Sequence, residues 1–183
     1  MERKIVYFEK AGKHNTEQTL KLAKERAEAL GITKVVLASS NGFTARLALE
    51  VFHDTDIQLI VVGISRDAFH QEVYALLEQK EIPVRFSSEV EYAYPEIVRN
   101  AYRKMSEGMK VVMDLGMIVS VEGLAAINEE IVAVGGTGPR GFPEGGGADT
   151  AVVMVPLNNE AFSTLPKNKD DRRAIKEFIC KPR

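Results

Sequence analysis

Apolar positions in the first half of the chain fall into two alternating patterns, short continuous runs and longer stretches in which they recur at helical spacing. The runs at Lys4–Phe8, Lys34–Ala38, Gln58–Ile64 and Pro83–Phe86 are rich in β-branched residues, and VVL and LIVV within them are unbroken. Parallel strands covered on both faces read this way. Between the first two runs, Asn15 predicts a helix cap with Gln18 three residues on, Leu20, Ala23, Ala27 and Leu30 share a stripe, and Gly31 is the stop. Phe43–Phe52 is apolar nearly all round, which predicts a more buried helix, whereas Phe69, Val73, Leu76 and Leu77 define one face of a third. Strands alternating with helices build βαβ units, so the class is α/β.

In the second half, Pro95 is a favoured first helical residue, and Ile97, Val98, Ala101, Tyr102 and Met105 form the stripe of a fourth helix. Lys110, Asp114 and Glu122 share one polar edge of a helix within Met109–Asn128, although VVM and MIVSV are also strand-like. Ile131–Val134 and Ala151–Val155 are strands whose connection is too short for a crossover helix, so they predict an antiparallel edge pair. After Pro166 the chain turns basic: Lys167, Lys169, Arg172, Arg173, Lys176, Lys181 and Arg183 stand against Asp170, Asp171 and Glu177. The plain reading of this tail is a short, docked terminal helix.

Composition narrows the function classes. A chain of 183 residues, 45% hydrophobic, suits a single domain with one sizeable core. Lys and Arg total 24 against 26 acids, for a net charge of −2, so nucleic acid is not an expected partner. Cys180 is the one cysteine, which allows no internal disulfide, and no His/Cys cluster has zinc-ligand spacing. A reducing, cytoplasmic setting is expected, with no metal. The opening MERKIVYFEK lacks the apolar core of a signal peptide, and the charges within Met109–Asn128 argue against a membrane span. Nothing in the sequence decides for or against a homo-oligomer.

Three segments carry candidate chemistry. In VVLASSNGFTARL, Val35–Leu47, a buried strand runs into small polar residues, a glycine and a helix. Backbone N–H groups at a helix N-terminus, with Ser39, Ser40, Asn41 and Thr44 around them and Gly42 permitting close approach, make a candidate phosphate site. Ordinary turn and cap formation accounts for the same residues. In open parallel sheets, however, ligands bind beyond the strand carboxyl ends, where this loop sits. GGTGPRGFPEGGG, Gly135–Gly147, holds seven of the 14 glycines. Its G-T-G-P-R-G string matches GxGxxG but does not open a helix, so a dinucleotide fingerprint is rejected. What remains is a loop able to lie against a ligand through Gly136, Thr137, Gly138 and Gly141, with Arg140 as its cation, or a hairpin tip without function. The third segment, FEKAGKHNTEQ, opens on the same sheet edge if its strand is parallel, bringing Lys10, Lys13, His14 and Asn15 toward the same pocket. Asn15 is also a simple cap and the lysines simple surface residues. No nucleophile and base stand out: the GxxxxGK[ST], GxSxG and HExxH patterns are absent, and His14, His53 and His70 fall on separate elements.

SSNGFTARL, Ser39–Leu47, resembles the C-terminal α/β domain of pyruvate kinases, in which a strand ends in a Thr/Ser-rich loop and a Thr/Ser-Ala-Arg helix follows. QLIVVGISRD, AFHQEVYALLEQKEIPVRFSS, EEIVAVGGTG and GADTAVVMVP are similar to that domain's later elements, so the likeness spans roughly Val35–Pro156. The kinases' catalytic barrel, which needs ~250 residues, has no room here. The resemblance implies a three-layer, doubly wound, mostly parallel sheet with one antiparallel edge strand. Its central order should place the Pro83, Gln58, Lys34, Ile131 and Ala151 strands side by side. In many kinases the loop matching Ser39–Thr44 holds a phosphate of a sugar bisphosphate effector; Ser40 and Phe43 depart from the kinase pattern, and Gly135–Gly147 replaces the loop after the fourth strand. The whole chain is similar to small stand-alone archaeal and bacterial proteins described as pyruvate-kinase-like α/β domains. That likeness implies flavin mononucleotide (FMN), its phosphate at Ser39–Thr44 and its isoalloxazine against the glycine-rich loop. Two functions follow as expectations: a flavin-binding protein, open to a role as a flavin-dependent oxidoreductase, or a non-catalytic sensor of a phosphorylated metabolite.

Overall fold

In the computed structural model, which describes residues 4–138 and 146–183, seven strands form one sheet in the order β1-β7-β6-β5-β2-β3-β4. These are β1 (Val6–Phe8), β2 (Lys34–Ala38), β3 (Gln58–Gly63), β4 (Val84–Phe86), β5 (Ile131–Gly135), β6 (Thr150–Met154) and β7 (Ile175–Pro182). The five strands of the expected central order lie side by side as expected. The antiparallel strand is β6, which runs against both β5 and β7, while β7 and β1 pair in parallel beyond it.

Strand residues alternate between two apolar layers because successive side chains leave opposite faces of a sheet. Val35, Leu37, Val61, Val132 and Val134 pack with Leu20, Ala23 and Ala27 of α1 (Thr16–Leu30), Ala45 and Ala48 of α2 (Phe43–Val51), and Val73 and Leu77 of α3 (Gln71–Gln79). Val36, Ile60, Val62, Ala133 and Val152 face Met109, Val112, Leu115 and Ile118 of α5 (Glu107–Val121). Helices on both faces of a mostly parallel sheet make the three-layer α/β architecture. At about 1.5–3 kcal/mol per large apolar side chain buried, each layer outweighs any single polar contact in the molecule.

Three expectations are corrected. The tail ends in a strand rather than a docked helix: one 3-10 turn at Lys169–Arg172 precedes β7, Ile175–Pro182. Register irregularities opposite Ala151/Val152 and Val153/Met154 place Ile175 and Phe178, three residues apart, on the α5 layer, and Ile179 and Cys180 on the other. Bulges of this kind break the alternation by which a strand is recognised. Asn15 does not cap α1 through its side chain; its Nδ2 donates instead to the Lys10 carbonyl at 2.7 Å, closing the β1–α1 loop on itself. Finally, α4 (Glu96–Arg103) forms, but its stripe is not core: none of its residues is buried, and Ile97 is 79% exposed. A sixth helix, α6 (Asn159–Ser163), is short and Asn158-capped. Among the described residues no helix is long and apolar enough to cross a membrane.

Candidate functional site

Parallel strands end together, so the loops after β2 and β5 open on one edge of the sheet, beside the N-terminal turns of α2 and α5. There they enclose a cleft of about 610 Å³. One wall carries Ala38, Ser39, Ser40 and Thr44; another carries Gly136, Thr137, Gly138, Gly146 and Gly147. The α5 face supplies Lys110, Asp114, Leu115 and Ile118, and α4 supplies Arg99 and Arg103.

Within the first loop the side chains divide by task. Ser39 is buried, and its Oγ accepts from the Ala45 amide at 3.2 Å, while Asn41 Oδ1 accepts from the Phe43 amide at 3.1 Å. Two amides of the first turn of α2 are thereby satisfied internally, as capping side chains do. The Thr44 amide has no acceptor among the described residues, and Ser40 and Thr44 line the cleft. Gly42 caps α2 with φ +100°, and a Cβ there would meet Val73 Cβ at 3.0 Å. Its close approach is to α3; neither Gly42 nor Asn41 lines the cleft.

In the glycine-rich segments the chain packs against itself. A Cβ on Gly136 would run into the Gly147 carbonyl oxygen, and one on Gly146 into that of Thr137. Gly138 faces open space. Behind these segments Asp149, fully buried, accepts from the Gly12 amide at 2.9 Å, Thr137 Oγ1 at 2.7 Å and Thr150 Oγ1 at 2.9 Å. The β1–α1 loop thus braces the glycine wall, assisted by the Ala148 amide donating to Thr16 Oγ1 at 3.0 Å. Lys10 and Asn15 do not line the cleft, and the Lys13 ammonium sits 4.2 Å over the Phe43 ring. His14 is exposed and also off the cleft. Arg140 and Gly141 lie outside the described residues.

The α4–α5 wall was not singled out from sequence, although a Lys110/Asp114 pair on an otherwise apolar helix was its visible signal. Lys110 Nζ is 2.9 Å from Asp114 Oδ2, and Tyr94 donates its hydroxyl to Asp114 Oδ1 at 2.5 Å. Burial, then the bond to Asp114 and that carboxylate's charge, push the Tyr94 hydroxyl well above the ordinary tyrosine range. Tyr92, also lining the cleft, is pushed up to about 12, chiefly by burial and then by Asp114. Both phenols stay protonated at neutral pH and act as donors. The cleft therefore combines an apolar floor of Val62, Ile64, Leu115 and Ile118 with hydroxyl, amide and cationic donors around it. Such a surface suits a ligand with a flat apolar body and an anionic end.

No family model matches the chain. Among solved structures, pyruvate kinase of Cryptosporidium parvum in complex with ADP is similar in fold, at 16% sequence identity and a TM-score of 0.43. The match covers 77% of this chain and 23% of the kinase chain.

Proposed function

We propose that this protein binds a phosphorylated small ligand, FMN foremost, in the cleft at the strand carboxyl ends. The observation that carries this reading is the convergence of the Ser40–Thr44 turn with the Thr137–Gly138 wall around one apolar-floored cleft. The donor set fits the group: Ser40 and Thr44 hydroxyls and the Thr44 amide for a phosphate, Val62, Ile64, Leu115 and Ile118 for a ring system, while the Thr137 hydroxyl is already spent on Asp149. A cleft of this volume is within the ~300–1,000 Å³ that holds ligands of such size. Bound flavin supplies hydride or single-electron chemistry; the chain's contribution is position and electrostatics. Here that contribution is to shield the ring with apolar side chains, to meet the phosphate with neutral donors, and to hold Lys110 against Asp114.

The alternative, a sensor of a phosphorylated metabolite without chemistry of its own, draws on a different observation. His14, His53 and His70 are exposed and line no part of the cleft, and its Asp114 carboxylate is already committed to Lys110 and Tyr94. Calorimetric titration of FMN beside riboflavin tests both readings. Strong preference for FMN supports the flavin-phosphate assignment. Equal affinity refutes a phosphate site, and no affinity for either, with binding of a sugar phosphate, favours the sensor.

A further inference from the structure

Of the three cations on the α4–α5 wall, two are engaged. Lys110 pairs with Asp114 at 2.9 Å, and Arg103 pairs with Glu96 at 2.8 Å and Glu107 at 3.4 Å. Arg99 is different. Its nearest carboxylate is Glu96 at 3.9 Å, a mostly exposed side chain already bound to Arg103. Its Nε is buried and has no hydrogen-bond partner among the described residues. A buried donor left unsatisfied is costly, and native structures keep few of them.

The guanidinium is nevertheless held in place. It lies 4.9 Å over the Tyr94 ring, and that ring is fixed by stacking on Phe162 at 5.1 Å, by edge contact with Tyr102 at 6.1 Å and by its hydroxyl bond to Asp114. A cation oriented by an anchored aromatic platform and lining a cleft, whose contacts within the chain are the Tyr94 phenol and a long ion pair to exposed Glu96, is arranged for a stronger anionic partner than the chain supplies. A guanidinium offers parallel N–H donors that match an oxyanion. The weak, exposed Glu96 contact is readily exchanged.

We infer that Arg99 recognises an oxyanion, phosphate or carboxylate, on the α4–α5 wall of the cleft, distinct from the donors of the Ser40–Thr44 turn. This inference rests on the cleft being a ligand site, but not on the ligand being a flavin. The carrier of the oxyanion is either the cleft's phosphorylated ligand itself or a second small acid bound beside it.

The full chain and its Arg99→Gln and Arg99→Lys variants are titrated with inorganic phosphate, pyrophosphate, succinate and FMN, following heat and thermal stability. Arg99→Gln gives up the contact over the Tyr94 ring along with the unpartnered Nε, so its ligand-free melting temperature should fall by no more than a few degrees, and Arg99→Lys, which keeps a cation there, should fall less. Saturable binding of at least one probe is expected, weakened about tenfold or more in Arg99→Gln, with Arg99→Lys between. Competition between that anion and FMN identifies FMN's own phosphate as the carrier, and simultaneous binding identifies a second acid. If FMN does not bind but a small anion binds through Arg99, the flavin reading falls and this one stands. If FMN binds wild type and Arg99→Gln alike and no anion distinguishes them, or if no probe binds at all, the Arg99 inference is overturned.

Discussion

Thr137 Oγ1 donates to Asp149 Oδ2 at 2.7 Å, tying a residue of the cleft wall to a carboxylate with no solvent exposure. The same carboxylate accepts from the Gly12 amide and the Thr150 hydroxyl, so three separate segments converge on it. Asp149→Ala would leave those three donors without their common acceptor, two of them in buried positions. It should cost on the order of 3–5 kcal/mol, as loss of one partner of a buried charged network does. Asp149→Asn, which keeps shape but turns one oxygen into a donor, should cost less. Urea unfolding gives both values; a loss under about 1 kcal/mol for the alanine variant contradicts the bracing role.

The crowding at Gly136 and the open space at Gly138 predict opposite responses to the same change. Gly136→Ala drives a methyl into the Gly147 carbonyl and should destabilise by at least the ~1–3 kcal/mol typical of overpacking. Gly138→Ala meets nothing and should stay within about 0.5 kcal/mol of wild type. Thermal unfolding separates them, since 1 kcal/mol is ~2–4 °C in a chain of this size. Equal melting temperatures would show that the glycine wall does not depend on backbone contact.

Cys180 lies in the layer against α1, and burial pushes its thiol from 9.0 up to about 12. Below pH 9 the thiol is neutral in both folded and unfolded chains, and its contribution to stability is fully present. From pH 9 toward 12 only the unfolded thiol ionises, so stability falls, by up to about 1.4 kcal/mol per pH unit from this group. Cys180→Ala should be less stable at pH 7 because of the lost packing, yet show a shallower decline over that window. Urea midpoints from pH 8 to 11 test it, and parallel declines in the two proteins refute it. The native thiol should also resist aromatic disulfide reagents at pH 8.

The central strands were legible because strands buried on both faces leave unbroken apolar runs, as in VVL of β2, LIVV of β3 and AVVM of β6. The β7 strand was not, because its bulges put Ile175 and Phe178 on one face at a spacing that mimics a helix. Half of the site followed from local chemistry: Ser40, Thr44, Thr137 and Gly138 line one cleft. Arg99 and Arg103 were hidden because an amphipathic stripe says which side of α4 is apolar, not whether that side is covered, and Ile97 remains exposed. Gly42 and Asn15 were visible as special residues, but their partners, Val73 and the Lys10 carbonyl, are set by tertiary packing and loop closure.

Ser39 and Thr44, both buried, sit five residues apart at the start of α2, yet the structure gives them separate duties. Ser39 Oγ is spent on the Ala45 amide, so Ser39→Ala should act as loss of a cap, destabilising by about 0.5–2 kcal/mol. The effect on ligand affinity should be small. Thr44 lines the cleft beside an amide that lacks an acceptor among the described residues. Thr44→Ala should therefore leave unfolding nearly unchanged while removing one hydrogen bond to a charged group. That loss is about 1.5–3 kcal/mol, or roughly ten- to a hundredfold in affinity for FMN. Riboflavin, which lacks the phosphate, should bind wild type and Thr44→Ala equally. Chemical unfolding and titration of the two variants give four numbers whose pattern is diagnostic. If Ser39→Ala loses FMN affinity at unchanged stability while Thr44→Ala loses stability at unchanged affinity, the division of labour in this turn is the reverse of that proposed.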